Sequence, residues 1–304
     1  MVLTSSTVWA QPKLSVQKIT VLPYFHSISA LEYHDKTIMA IGNDATRILL
    51  LSEDHSILDS IALFDYLNKP QEKNTNSNGI RATAVVTVAN TPTLLIMGSG
   101  ENRMDKSDIW LFPLKGKSYS ELYTPAINIP DFYKRMRRLG ITQINIDGAA
   151  EIKDHILLAN AATAANSNNH FVLTEFDFWT KGATADLRII KLNSDVKQPI
   201  RVSGLEYDAA EDLLLFSASS IPTSSNESVE SYIGLIENIS SKLKQPSIRP
   251  DYLLPIYDIM PDMKGKQLQS ICLGKQKNSG ETIIHVCGID ANNRCYVYRF
   301  GMRR

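Results

Sequence analysis

The sequence has little of what most named chemistries require. It holds three cysteines in 304 residues, Cys272, Cys287 and Cys295, and none belongs to a CxxC pair. That excludes a zinc site built on paired cysteines. The reading is three buried strand residues, since free cysteine packs as a small hydrophobe. A Cys272–Cys287 bridge between neighbouring strands is the alternative. Neither charge is in excess: 32 Lys and Arg balance 32 Asp and Glu. A phosphate backbone needs a basic stripe, so nucleic acid is not an expected partner. No apolar run approaches the roughly 18 residues that a spanning helix needs. The GxSxG, HExxH, Walker and GxGxxG patterns are missing. Six histidines, at 26, 34, 55, 155, 170 and 285, are scattered without metal-ligand spacing.

What is present is a repeat. Ile28-Ser29-Ala30-Leu31 returns as Ile80-Arg81-Ala82-Thr83, Ile146-Asp147-Gly148-Ala149, Val202-Ser203-Gly204-Leu205 and Leu268-Gln269-Ser270-Ile271. Successive copies are spaced by 52, 66, 56 and 66 residues. The first and fourth copies also share Leu31-Glu32-Tyr33 and Leu205-Glu206-Tyr207. Each motif leads into a second apolar run, such as Thr37–Gly42 or Thr93–Gly98, and then a third, such as Arg47–Leu51 or Arg294–Phe300. Ser56–Phe64, Ser118–Ile127, Asp186–Leu192 and Ile248–Ile256 are fourth runs of the first four units.

The runs are short, rich in Val, Ile, Leu and aromatics, and bounded by Gly, Asn, Asp and Ser, which is strand chemistry. Four-stranded units repeated about an axis make a β-propeller. The fold class is therefore all-β, a five-bladed propeller. The fifth unit lacks a fourth run, and Val16–Tyr24 is expected to supply it and close the ring. A six-bladed ring is the alternative, with a blade hidden in 115–145 or 56–80.

Residues 1–13 read as a tail or the remnant of an export signal, and 14–304 as one propeller domain. Val8-Trp9-Ala10 has the small-residue end of a secretory signal without its charged start. The reading favours a periplasmic or secreted protein over a cytoplasmic one, and a monomer. Asn68–Gly79 reads as an exposed loop. Pro130–Leu139 reads as a short amphipathic helix, with Phe132, Met136 and Leu139 on its apolar face and Gly140 as its stop. Its Lys134, Arg135, Arg137 and Arg138 are an anion or partner patch, or simply a solvated face. The loops 161–169 and 221–230 are polar and rich in small residues.

In a propeller the start of strand one and the end of strand two share one end of the ring. The second motif position carries Ser29, Arg81, Asp147, Ser203 and Gln269, while its neighbours stay apolar or small. The strand-two ends offer Asn43, Asp44, Ser99, Glu101, Arg103, Asn160, Ser217, Ser219 and Asp290. Divergence at a convergent position suits an asymmetric pocket for a small polar molecule or a protein. The alternative is a structural network, with Arg81 and Asp147 as an ion pair between adjacent blades. Glu32 and Glu206 are a candidate acid–base pair or ligands for a hard cation such as calcium.

The phrases SGLEYDAAEDLLLFSAS (203–219), NIDGAAEIKDHILLAN (145–160) and LLIMGSGENR (94–103) resemble a family of bacterial propellers of unknown function, itself similar to the phytase-like and esterase-like propeller group. The resemblance runs from about Ile19 to Phe300. It implies a propeller with a polar site at the channel mouth, and it implies an enzymatic role through relatives that are hydrolases. Family members tend to carry Glu where this chain has Asp147 and Gln269, a departure that bears on any metal or acid role there. The functional expectation is a propeller that binds a small polar ligand or partner at its channel mouth. The alternative is a metal-assisted phosphoesterase, esterase or lactonase, with Glu32, Glu206 or Asp147 as metal ligand or base.

Overall fold

The computed structural model describes residues 11–43, 47–62, 79–100, 108–114, 127–224, 227–275 and 280–304. Strand β1 (Lys13–His26) comes first in the chain and last in the architecture. Blade 1 is β2 (Ile28–His34), β3 (Thr37–Gly42), β4 (Arg47–Ser52) and β5 (Ile57–Ala62). Blade 2 is β6 (Ile80–Val88), β7 (Thr91–Gly98), β8 (Asp108–Pro113) and β9 (Ile127–Asn128). Blade 3 is β10 (Ile146–Ile152), β11 (His155–Asn160), β12 (Asn169–Glu175) and β13 (Leu187–Leu192). Blade 4 is β14 (Ile200–Asp208), β15 (Leu213–Ser220), β16 (Ser231–Glu237) and β18 (Tyr252–Pro255). Blade 5 is β19 (Gln267–Leu273), β20 (Thr282–Ile289) and β21 (Arg294–Arg303), completed by β1.

The ring has five blades, and β1 runs antiparallel to β21 from Lys13↔Arg303 to His26↔Arg294. The expected closure of 16–24 on 294–300 is therefore found. One expected strand is split. Pro250 cannot donate to a ladder, and the run 248–256 breaks around it. β17 (Ser247–Ile248) instead pairs parallel with β13 and extends blade 3, while β18 closes blade 4 on β16.

Second strands are apolar at successive positions because both of their faces are covered by neighbouring blades. Ile38, Met39, Ala40 and Ile41 are each at most 1% exposed, and every residue of β15 is buried. Outer strands have one wet face: β5 is exposed over most of its length. Five apolar clusters fill the five seams between adjacent blades. The seam between blades 2 and 3 also receives α1 (Pro130–Arg138). Pro130 suits the first helical turn, and Gly140, at φ +102°, ends the helix. Phe132, Tyr133 and Met136 are its buried residues. Leu139, expected on the apolar face, is instead 53% exposed, because it caps the helix just before the chain turns away at Gly140. The three cysteines are free and buried in the seam between blades 5 and 1, so the alternative of a Cys272–Cys287 bridge falls.

One irregularity is repeated around the whole ring. The register between strands one and two slips at the second motif position in every blade, as in Ile28↔Gly42 followed by Ala30↔Ile41. Ser29, Arg81, Asp147, Ser203 and Gln269 are thus the unpaired residues of five bulges. A bulge disrupts the ladder locally and re-aims a side chain. The amide just before each bulge donates to the preceding blade. Ile80 N–H reaches Asn43 O at 3.1 Å and Ile146 N–H reaches Ser99 O at 2.9 Å. Val202 N–H reaches Asn169 Oδ1 at 3.1 Å, Leu268 N–H reaches Ser219 Oγ at 2.9 Å, and Ile28 N–H reaches Cys295 Sγ at 3.3 Å. Five clasps of one kind close the ring at one end.

Just past the bulge the inner strands meet backbone to backbone. A Cβ on Gly148 would lie 3.1 Å from the Gly204 backbone, and one on Gly204 would lie 2.7 Å from Ser270 Cα. This explains the small residues at the third motif position.

Candidate functional site at the bulge ring

The bulges put the five divergent side chains at one level on the inner strands β2, β6, β10, β14 and β19, which pack against one another around the axis. Their hydrogen bonds divide them into two kinds. Ser29 Oγ donates to Ile41 O within its own blade at 3.3 Å. Ser203 Oγ lies 3.1 Å from Ser217 Oγ, also within its blade. These two serines satisfy their own sheets.

Asp147 is different. It is 3% exposed. Its Oδ2 accepts from Arg201 Nε at 2.6 Å and from Asn145 Nδ2 at 3.3 Å, and Arg201 Nη2 also bonds it. Its Oδ1 is buried without a hydrogen-bond partner among the described residues. The alternative of an Arg81–Asp147 ion pair is therefore corrected: the cation on Asp147 is Arg201. The signal for it was present one position earlier. Asn145 and Arg201 occupy the place just before the motif in blades 3 and 4, and both converge on Asp147.

Arg81 is half-buried, and neither it nor Gln269, 9% exposed, has a hydrogen-bond partner among the described residues. The ring thus holds a guanidinium, a carboxamide and one carboxylate oxygen with unused hydrogen-bonding capacity. Asn160 is spent on its own blade: Oδ1 accepts from Asn145 N–H at 2.8 Å and Nδ2 donates to Gln143 O at 3.1 Å. Arg103, with Asp44 and Glu101, lies outside the described residues. Asn43 Oδ1 and Ser99 Oγ, at the strand-two ends of blades 1 and 2, are further buried atoms without a hydrogen-bond partner among the described residues. The polar loop 161–169 ends in a structural clasp. Asn169 Oδ1 accepts from Ala162 and Val202 amides, and Nδ2 donates to Ile200 O at 2.7 Å.

Glu32 and Glu206 occupy the same repeat position three residues further along, and the ring brings them into electrostatic contact. Glu32 accepts from Thr83 Oγ1 at 2.6 Å and from the Val85 amide. Burial outweighs those bonds and pushes its carboxyl up to about 8. Glu206 accepts from the Leu273 amide, the equivalent of Val85 in blade 5, and is raised by burial and then by Glu32. It is densely surrounded by protein yet keeps some water-accessible surface. Cys272, at the same repeat position in blade 5, has its thiol raised by burial and by both acids. Among the described residues no group of three or more His, Cys, Asp or Glu is placed to hold a metal. An apolar cleft between Met39, Ile48, Leu94 and Phe112 lies in the seam of blades 1 and 2.

Among the described residues no helix is long and apolar enough to cross a membrane. The fold is shared with glutaminyl cyclase from Myxococcus xanthus at a TM-score of 0.52 and 11% identity, covering 96% of this chain and 97% of that one. An exo-1,5-α-L-arabinanase from a bovine ruminal metagenomic library is similar at 0.49 and 9%, covering 90% and 92%. A DUF4221 family member from Bacteroides vulgatus is similar at 0.44 and 11%, covering 96% and 99%. The likeness to glutaminyl cyclase speaks to the fold alone. No curated protein matches the chain. Residues 24–299 match DUF6929, a family of unknown function, and the chain belongs to that family.

Proposed function

We propose that this member of DUF6929 is a binding propeller that takes a small polar ligand at the bulge-lined end of its channel. The carrying observation is Asp147: one oxygen is clamped by Arg201 and Asn145, and the other is buried and unpaired. An unsatisfied buried acceptor costs about 1–3 kcal/mol, and a ligand donor would remove that cost. Arg81 and Gln269, without hydrogen-bond partners among the described residues, supply the remaining contacts, and Ser29, Ser203 and Asn160 hold the wall in shape. A thermal-shift screen of the purified chain against small polar molecules tests this. A hit should raise the melting temperature, and Arg81→Gln or Gln269→Ala should abolish the rise. No hit at all, or hits indifferent to both variants, would refute it.

A second reading is hydrolysis, favoured by one observation. Glu206 feels the charge of Glu32, both carboxyls are raised by burial, and a carboxyl kept protonated near neutral pH is a competent general acid. A panel of generic esters, lactones and phosphomonoesters, with and without calcium, should then give turnover that Glu206→Gln removes. Silence across the panel sinks it.

A further inference from the structure

The uncommitted groups of the ring differ in charge, and that difference specifies a ligand class. Arg81 on β6 and Asp147 on β10 are bulge residues of adjacent blades, at the same level on inner strands that pack together. Arg81 offers a guanidinium fork suited to a carboxylate. Asp147 offers a single acceptor oxygen suited to an ammonium or hydroxyl donor. Gln269 adds a carboxamide that can donate or accept.

A simple cation on Asp147 would meet the Arg201 guanidinium that already clamps Oδ2, with a second cation, Arg81, at the neighbouring bulge. A simple anion on Arg81 would sit beside the free oxygen of Asp147 and leave it unsatisfied. A molecule carrying both charges a few bonds apart answers both groups. We infer that the ligand is a small zwitterion of the amino-acid type, its carboxylate on Arg81 and its ammonium on Asp147 Oδ1; this rests on the binding reading above.

The test is calorimetric titration of the full chain with the common amino acids and simple dipeptides. Each hit is compared with its amide, which lacks the carboxylate, and its deamino acid, which lacks the ammonium. Both analogues should bind at least about tenfold more weakly. Arg81→Gln should erase the penalty for losing the carboxylate, and Asp147→Asn the penalty for losing the ammonium. Asp147→Asn also disturbs Arg201 and can cost folding. Arg81→Gln and Gln269→Ala break no hydrogen bond among the described residues, so they keep the test decisive. Lys134→Ala, at an exposed position of α1 paired with Asp131, is the control. If an analogue or a neutral polyol binds as tightly and Arg81→Gln or Gln269→Ala still weakens it, the zwitterion is wrong and the ring site stands. If nothing binds, or binding ignores both variants, both readings fall.

Discussion

His55 Nε2 lies 2.9 Å from His285 Nδ1 across the seam where the first and last blades meet. Thr20 Oγ1 of the closing strand lies 3.1 Å from His55 Nδ1, so the chain of contacts joins β1, blade 1 and blade 5. Burial lowers His55 to about 4 and His285 to about 3, with Lys18 and Arg299 adding to the effect at His55 and His55 and Arg299 at His285; Asp54 opposes it at His55.

Ring closure should therefore be acid-sensitive. The unfolded chain takes up protons near the ordinary histidine value of 6.5, whereas the folded chain does so only near 4 and below. The contribution of the pair is full above pH 6.5 and is lost as pH falls toward 4. Melting temperature measured from pH 7 to 4 should fall, and His55→Asn, a residue that tolerates the φ of +61° at that position, should flatten the decline.

Glu32 gives the opposite slope. Its folded value of about 8 lies above the ordinary 4.5, so the folded state holds its proton longer than the unfolded state does. Its penalty is absent below pH 4.5 and grows as pH rises to 8, by at most about 1.4 kcal/mol per pH unit. Denaturant titrations of Glu32→Gln should show a smaller loss of stability between pH 5 and 8 than the parent shows. An unchanged slope would assign the effect elsewhere.

The contact between inner strands should tolerate almost no added atom. Gly204→Ala places a Cβ 2.7 Å from Ser270 Cα, so backbone must move; Gly148→Ala meets backbone at 3.1 Å. The expected losses are about 2–4 kcal/mol for Gly204→Ala and less for Gly148→Ala. Chemical unfolding checks the order as well as the size.

Removing residues 1–24 should open the ring. Blade 5 would lose β1, and β21 would become a bare edge. A domain has only about 5–15 kcal/mol of stability in total, so the loss should appear as a broadened, low-temperature transition and as self-association in light scattering.

The sequence by itself determined the repeat and the closing strand; it left five blades against six, and the sheet topology decided for five. Each blade must bury both faces of its inner strands, and that need writes the same apolar frame five times. It also marked the divergent second position, because packing leaves that side chain free to vary. The tertiary structure alone decided what those side chains do. The bulge releases an amide to the preceding blade, a bond between residues distant in sequence such as Leu268 and Ser219. Arg201, and not Arg81, reaches Asp147, because partners are chosen by the direction of a side chain and not by its charge. Glu32 and Glu206 influence each other only because the ring folds the first and fourth blades toward one axis. Frame residues are legible because every blade demands them alike; pairings across the ring are not, because each occurs once and depends on geometry that no local pattern records.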